Sequence, residues 1–522
     1  MRRTIIWILF FALTLSACVP AASTPSPYPT YDPFISVDNG GPIQTTNGLP
    51  QPTRTPGPTP TRASLSVTLP PTRDPSLPIL TPTPDTPRTL PTPRQNADQY
   101  VVQSGDTLGS IAQNYGISVD ALMQANSLND PNLLTVGMTL NIPAPEPGAV
   151  GPSFKIIPDS ELVYGPASAQ FDIDAFIQNK RGYLASYSED VNGQTMSAAD
   201  IITTVSQNYS VNPRLLLAIL EYESGWVTKP DATATDYPLG FVETYYSGLY
   251  HQLDWAANEL NRGFYLWRAD AVSTWVLADG SVVPIDPTIN AGTAGVQNFF
   301  AKLDSHDAWE KDVTAFGLYQ TYFFLFGNSF DLAIEPLVPL NLKQPRMTLP
   351  FASGETWSFT GGPHGGWDEG SAWAALDFAP PSDAPGCVQS DYWVTAVADG
   401  LITRAANGAV IQDLDNDGYE QTGWVVLYMH IETRDRVAPG TYLFAGDKVG
   451  HPSCEGGIAN GTHVHLARRY NGEWIAADGT LPFNLDGWVS SGTGTEYDGF
   501  LKRGSQQVEA WDGKNDANQI TH

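Results

Sequence analysis

Basic side chains are scarce in this sequence. Lys and Arg number 27 against 55 Asp and Glu, which leaves a formal charge of −28. A surface of that sign repels phosphate backbones, so a nucleic acid is excluded as a partner. It also gains nothing from an anionic membrane surface, and any membrane attachment has to be covalent or apolar. A spanning segment is missing from the start of the chain. Arg2-Arg3 precede only 11 residues of apolar run, 5–15, too short for a bilayer and suited to the core of a signal peptide. Cysteine is rarer still, with three in 522 residues.

Leu15-Ser16-Ala17-Cys18 closes that run and resembles the lipobox of a bacterial lipoprotein, cut before Cys18 and acylated on its sulfur. An ordinary secretory signal cut nearby is the alternative. Several acyl chains on one residue hold a protein at a membrane where a single chain does not. Residues 1–18 are therefore read as signal peptide and lipobox, and the protein as a membrane-anchored lipoprotein outside the cytoplasm. Cys387 and Cys454 remain as an even pair in an oxidising compartment and are expected to form a disulfide, with two separate buried thiols as the alternative.

Proline is crowded rather than scarce. Twenty of the 43 lie between residues 20 and 98, in runs such as Thr55-Pro56-Gly57-Pro58-Thr59-Pro60-Thr61. With few aromatics beside them, residues 19–98 cannot bury enough surface to fold and are read as a disordered Pro/Thr-rich linker. At ~3 Å per residue it would reach some ~200 Å. The rest is long enough for about three domains.

Residues 99–144 read strand–helix–helix–strand, with a turn at Ser104-Gly105-Asp106-Thr107 that caps a helix carrying Leu108, Ile111, Ala112 and Tyr115 at helical spacing. This βααβ pattern resembles a LysM module. The resemblance implies binding of N-acetylglucosamine-containing chains at Gly105, Asp106, Thr107, Asn126 and Leu133; a spacer without sugar affinity is the alternative.

Residues 155–345 read as mainly helical. Asn212 caps a helix whose first turn holds Pro213, and Leu216, Ile219, Leu220 and Glu223 share one face of it. Glu223, at the end of an apolar stripe, would be partly desolvated and suited to general acid work, whereas Glu221 reads as a solvated surface residue. The stretch 211–226 resembles the catalytic helix of lytic transglycosylases and goose-type lysozymes, and Ile289-Asn290-Ala291-Gly292 resembles the start of another helix of that fold. The Gly-Leu-Met-Gln-like segment of those enzymes has no good match. A wall-binding or spacer domain is the alternative.

Residues 346–510 carry β-type runs and the densest chemistry. In Gly461-Thr462-His463-Val464-His465-Leu466, residues i and i+2 of a strand share a face, so His463 and His465 point into one site and Val464 into packing. Upstream stand Gly361-Gly362-Pro363-His364-Gly365, Ala375-Leu376-Asp377-Phe378 and the strand-like 424–430 ending in His430. Two imidazoles and a carboxylate bind zinc and leave a fourth position open for water. The order resembles the lysostaphin-type and β-lytic (staphylolysin-like) zinc metallopeptidases. The resemblance implies a mainly antiparallel β domain cutting the peptide part of peptidoglycan, with His364, Asp377 and His465 as Zn2+ ligands. It also implies that His463 accepts the proton of the water and His430 donates to the oxyanion, roles that could be exchanged. Asp413-Leu414-Asp415-Asn416-Asp417-Gly418 mimics half a calcium loop but lacks Glu at the twelfth position, where Trp424 stands, and reads as an acidic turn. Some LysM lipoproteins carry a degenerate domain of this type without ligands and activate other wall hydrolases. All three ligand positions are filled here.

Overall fold

In a computed structural model, the described residues are 82–522 apart from 93, 104, 105, 131, 132, 147, 232 and 383. Cys18, the signal segment, most of the linker reading and Gly105 lie outside them.

The strand Asp98–Val101 pairs antiparallel with Thr139–Ile142 around the helices Leu108–Asn114 and Val119–Ala125. Thr107 and Ser110 form a reciprocal cap at the first helix, and Ser118 caps the second. Leu108, Ile111, Leu122, Leu140 and Ile142 close a small core of their own.

The linker reading ends too late. From residue 82 the chain is already fastened to the helical region: the Asp85 amide donates to the Thr288 carbonyl, and Arg88 donates to that of Pro287. The Arg88 guanidinium lies 5.1 Å from the Trp267 ring, Lys155 pairs with Asp85 at 2.7 Å, and Leu90 packs on the helical core. One apolar and two charged side chains suffice to dock a segment whose prolines alone predict only extension.

The helical region is built around Pro213–Ser224, which Asn212 caps by accepting from the Arg214 amide. Every residue from Leu215 to Leu220 is buried, so over this stretch the helix is enclosed on all sides and the one-faced reading does not hold there. Leu249–Arg268 lies closely along Ala291–Ala301. Gly263 and Gly295 permit this, since a Cβ at either would come within 2.6 or 2.7 Å of a carbonyl on the facing helix.

The C-terminal region is an antiparallel sheet. In spatial order its strands are Tyr442–Leu443, Gly400–Ala406, Ala409–Asp413, Trp424–Met429, Val464–Tyr470, Ala375–Ala379, Thr356–His364 and Gln519–Thr521. The last pairs with Thr356–His364, so the domain extends beyond the expected limit at residue 510. Alternation sorts the two faces. Leu376, Phe378, Val426, Tyr428, Val464 and Leu466 form a core with Met347, Phe351 and Trp488. Ala375, Ile411, Val425, Leu427, Met429 and Ala467 turn the other way and join the core of the helical region.

That second face carries a buried ionic layer. Glu420 is held by Arg404 and Arg469, each at 3.0 Å, while Arg404 also donates to Asn208 and Arg469 to the Gln207 carbonyl. Desolvation opposes the Glu420 charge, and the two guanidinium groups outweigh it and hold the carboxyl low. Breaking a buried pair leaves an uncompensated charge. Arg469→Ala is therefore expected to lower the stability of the whole chain by ~3 kcal/mol, measured as a drop in the denaturant midpoint at constant slope.

Candidate metal centre

Strand register brings the centre together. Asp377 lies directly opposite His465, and Met429, one residue before His430, lies on the other side of His465. Thr356–His364 ends with His364 opposite Ala375. His364 Nε2 is 2.9 Å from His465 Nδ1, and both nitrogens are 3.3 Å from Asp377 Oδ1. Ligands at ~2.0–2.1 Å in a tetrahedron stand ~3.3 Å apart, so this triangle has the size of a zinc site. Asp377 Oδ1 is buried without a hydrogen bond, an orphaned acceptor that a cation would satisfy.

Backbone carbonyls orient the rings. His364 Nδ1 faces the Gly362 carbonyl at 2.7 Å, which leaves Nε2 to the centre. His465 is turned the other way, with Nε2 on the Gly366 carbonyl at 3.1 Å and Nδ1 inward. Such outer contacts fix the tautomer of a ligating imidazole. Burial opposes the Asp377 charge, but His364 and His463 outweigh it and hold the carboxyl well below the usual range. Burial lowers His465, whereas on His364 the same effect is outweighed by Asp377.

His463 and His430 stand beside this triangle, their rings 4.4 Å apart. His463 Nδ1 faces the Gly461 carbonyl at 2.7 Å and His430 Nδ1 the Glu455 carbonyl at 3.1 Å, so each presents Nε2. His463 Nε2 lies 3.8 Å from Asp377 Oδ1. Burial, then the neighbouring His463 and His465, hold His430 well below the ordinary range. Cys387 and Cys454 are disulfide-bonded, with Cα atoms 5.8 Å apart. Tyr497, carried by no motif in the sequence, stacks on His364 with ring centroids 4.2 Å apart.

The remaining expectations fare unevenly. Asp413, Asp415 and Asp417 do converge, their carboxylates within 4.8 Å of one another. Glu221 is not a solvated surface residue: it accepts from the Val227 and Thr228 amides and from the Thr228 hydroxyl, capping the chain after its helix. Glu223 is exposed as a residue, yet desolvation of its carboxyl, then Asp304 and Asp312, push it up to about 8. In the small module Asp106 accepts from Tyr100 and the Gln103 amide, and Thr107 caps its helix. Asn126 donates to the Leu122 and Asn141 carbonyls and accepts from the Asn141 amide, a structural latch between helix and strand. Leu133 is exposed.

Residues 100–143 match the LysM domain, and residues 155–339 match the LasA N-terminal domain. Protease LasA of Pseudomonas aeruginosa (strain UCBPP-PA14) is 25% identical over 346 residues, which cover 62% of this chain and 75% of that protein. The N-acetylmuramoyl-L-alanine amidase XlyA of Bacillus subtilis (strain 168) is 45% identical over 60 residues, 12% of this chain and 20% of the amidase. Among solved structures, the M23 metalloprotease pseudoalterin from the deep sea shares 23% identity, with a TM-score of 0.27 over 33% of this chain and 96% of that one. The lysostaphin catalytic domain of Staphylococcus simulans shares 22%, with a TM-score of 0.18 over 24% and 89%. The chain thus carries matches to a LysM domain and to the LasA N-terminal domain, and it is similar to protease LasA over 346 residues. Among the described residues no helix is long and apolar enough to cross a membrane.

Replacing Asp377 with Ala removes the one anionic member of the triangle. By elemental analysis after dialysis, the native full-length chain is expected to retain one zinc and the variant far less.

Proposed function

We propose that the protein is a zinc-dependent peptidoglycan endopeptidase, held at the cell envelope by a lipid on Cys18 and on its substrate by the LysM module. The observation that carries this reading is the His364–Asp377–His465 triangle, of tetrahedral size around an orphaned carboxylate oxygen. Zinc bound there supplies a Lewis acid that acidifies water and polarises a scissile carbonyl. His364 and His465 bind through the nitrogens that their carbonyl contacts leave free, and Asp377 neutralises charge.

The proton traffic falls to the other two histidines. In the neutral form, Nδ1 donates to a carbonyl in both, of Glu455 for His430 and of Gly461 for His463, so each presents an unprotonated Nε2. One of them takes the proton of the attacking water and passes it to the leaving amine. The other donates to the oxyanion once it carries a proton on Nε2; the resemblance gives acceptance to His463 and donation to His430, and the two can exchange. Tethering by the LysM module raises the local concentration of peptide stems and cross-bridges around the site.

A second reading, glycan cleavage by the helical region, is favoured by one observation: the raised carboxyl of Glu223 beside Asp304 and Asp312. Mass analysis of digested peptidoglycan separates the readings, with new amino termini expected and new reducing or anhydro-sugar ends pointing to Glu223. His430→Ala and His463→Ala are each expected to keep zinc while losing ~10²–10⁴ in cleavage rate. Native rates in both variants would overturn this division of labour.

A further inference from the structure

The centre lies on the face of the sheet that the helical region covers, and the segment between its first two ligands is where the two regions meet. Residues 365–374 leave the sheet after His364, cross to the helices and return at Asp377. The Gly370 amide donates to Asn258 Oδ1 at 2.7 Å, and Asn258 stands on the Leu249–Arg268 helix. The approach is so close that a Cβ on Gly370 would lie 2.1 Å from the Asn258 carbonyl oxygen. Tyr209 donates to Asp368 Oδ2 at 2.9 Å, and the buried Trp367 joins the helical core. Asp368 adopts a left-handed backbone, φ 57°, which a residue other than glycine keeps only when its surroundings impose it. The loop is closed by hydrogen bonds from the Gly366 amide to the Ala372 carbonyl and from the Trp367 amide to Ser371. Its inner end is the Gly366 carbonyl, which faces His465 Nε2 at 3.1 Å.

We infer that Asn258 is a positioning residue of the metal centre, acting through the 365–374 loop to hold the carbonyl that orients His465. The helical region is then part of the centre's outer support and not only a neighbour or spacer. Arg262 offers a built-in contrast. It also reaches the loop, at Glu369 (3.1 Å), but that glutamate is 76% exposed and solvent screens the pair.

The inference rests on the zinc reading of the site, and the test separates the two. The dissociation constant for zinc is measured on the full chain by competition with a chromophoric chelator, beside the melting temperature of the metal-free protein. Outer contacts of a ligand typically contribute 10–100-fold in metal affinity. Asn258→Ala is expected to weaken zinc by about 10-fold, and Asn258→Asp, which keeps an acceptor at the same place, to restore it to within about 3-fold. Gly370→Ala, which forces the same contact apart from the loop side, should give the loss seen with Asn258→Ala. Arg262→Ala should change affinity less than about 2-fold. Native affinity in both Asn258→Ala and Gly370→Ala overturns the inference while leaving the zinc site standing. A loss that follows the metal-free melting temperature and is not restored by Asn258→Asp also overturns it, as general destabilisation. Absence of stoichiometric zinc in the native chain overturns the underlying reading instead.

Discussion

Everything in the C-terminal half depends on the alternation of side chains across one antiparallel sheet. The face that turns Leu427, Met429 and Ala467 towards the helices is the face that carries Asp377 and His465. Apolar burial and the proposed metal centre are thus neighbours on one surface, and the helices that satisfy the first run up to the second. At roughly 25 cal/mol per Å² of apolar surface, separating the halves would be costly even before Glu420, Arg404 and Arg469 lost their partners. A fragment starting near residue 347 would expose this face beside its own ligands.

The centre itself is assembled from groups that the backbone orients. Four imidazoles each direct one nitrogen at a main-chain carbonyl, of Gly362, Gly366, Gly461 and Glu455. The choice of carbonyl decides which nitrogen is left for other work. The two strand histidines make the point, since His465 presents Nδ1 and His463 presents Nε2 from positions two residues apart. Side-chain identity supplies the chemistry, and loop geometry supplies the tautomer.

This division explains what could be read from the chain alone. That His463 and His465 share a face was legible because strand periodicity is a local property, whereas the place of His364, Asp377 and His430 beside them was implied only by the resemblance of their motifs. The caps at Thr107 and Asn212 were legible for the same reason. Carbonyl partners were not, because any residue supplies a carbonyl. Nor was the union of helices and sheet, which rests on pairs such as Asn258 with Gly370 that are distant in sequence. Glu221 was misread because helical phase alone cannot see a following loop folding back onto its carboxylate. The stretch around Glu223 matched a helix common in wall-cleaving enzymes, whereas the domain match is to the LasA N-terminal domain.

The disulfide has a reach beyond its own loops. Cys454 precedes the residue whose carbonyl orients His430, and Gly386, beside Cys387, accepts from the amide of Thr462, next to His463. The bond therefore clamps the supports of both histidines outside the triangle, while the supports of His364 and His465 come from Gly362 and Gly366, elsewhere in the chain. Reduction would loosen the proton-handling pair and leave the cation's cradle intact. The crosslink is thus a brace for the pair outside the triangle, set apart from the carbonyls that turn His364 and His465 inward.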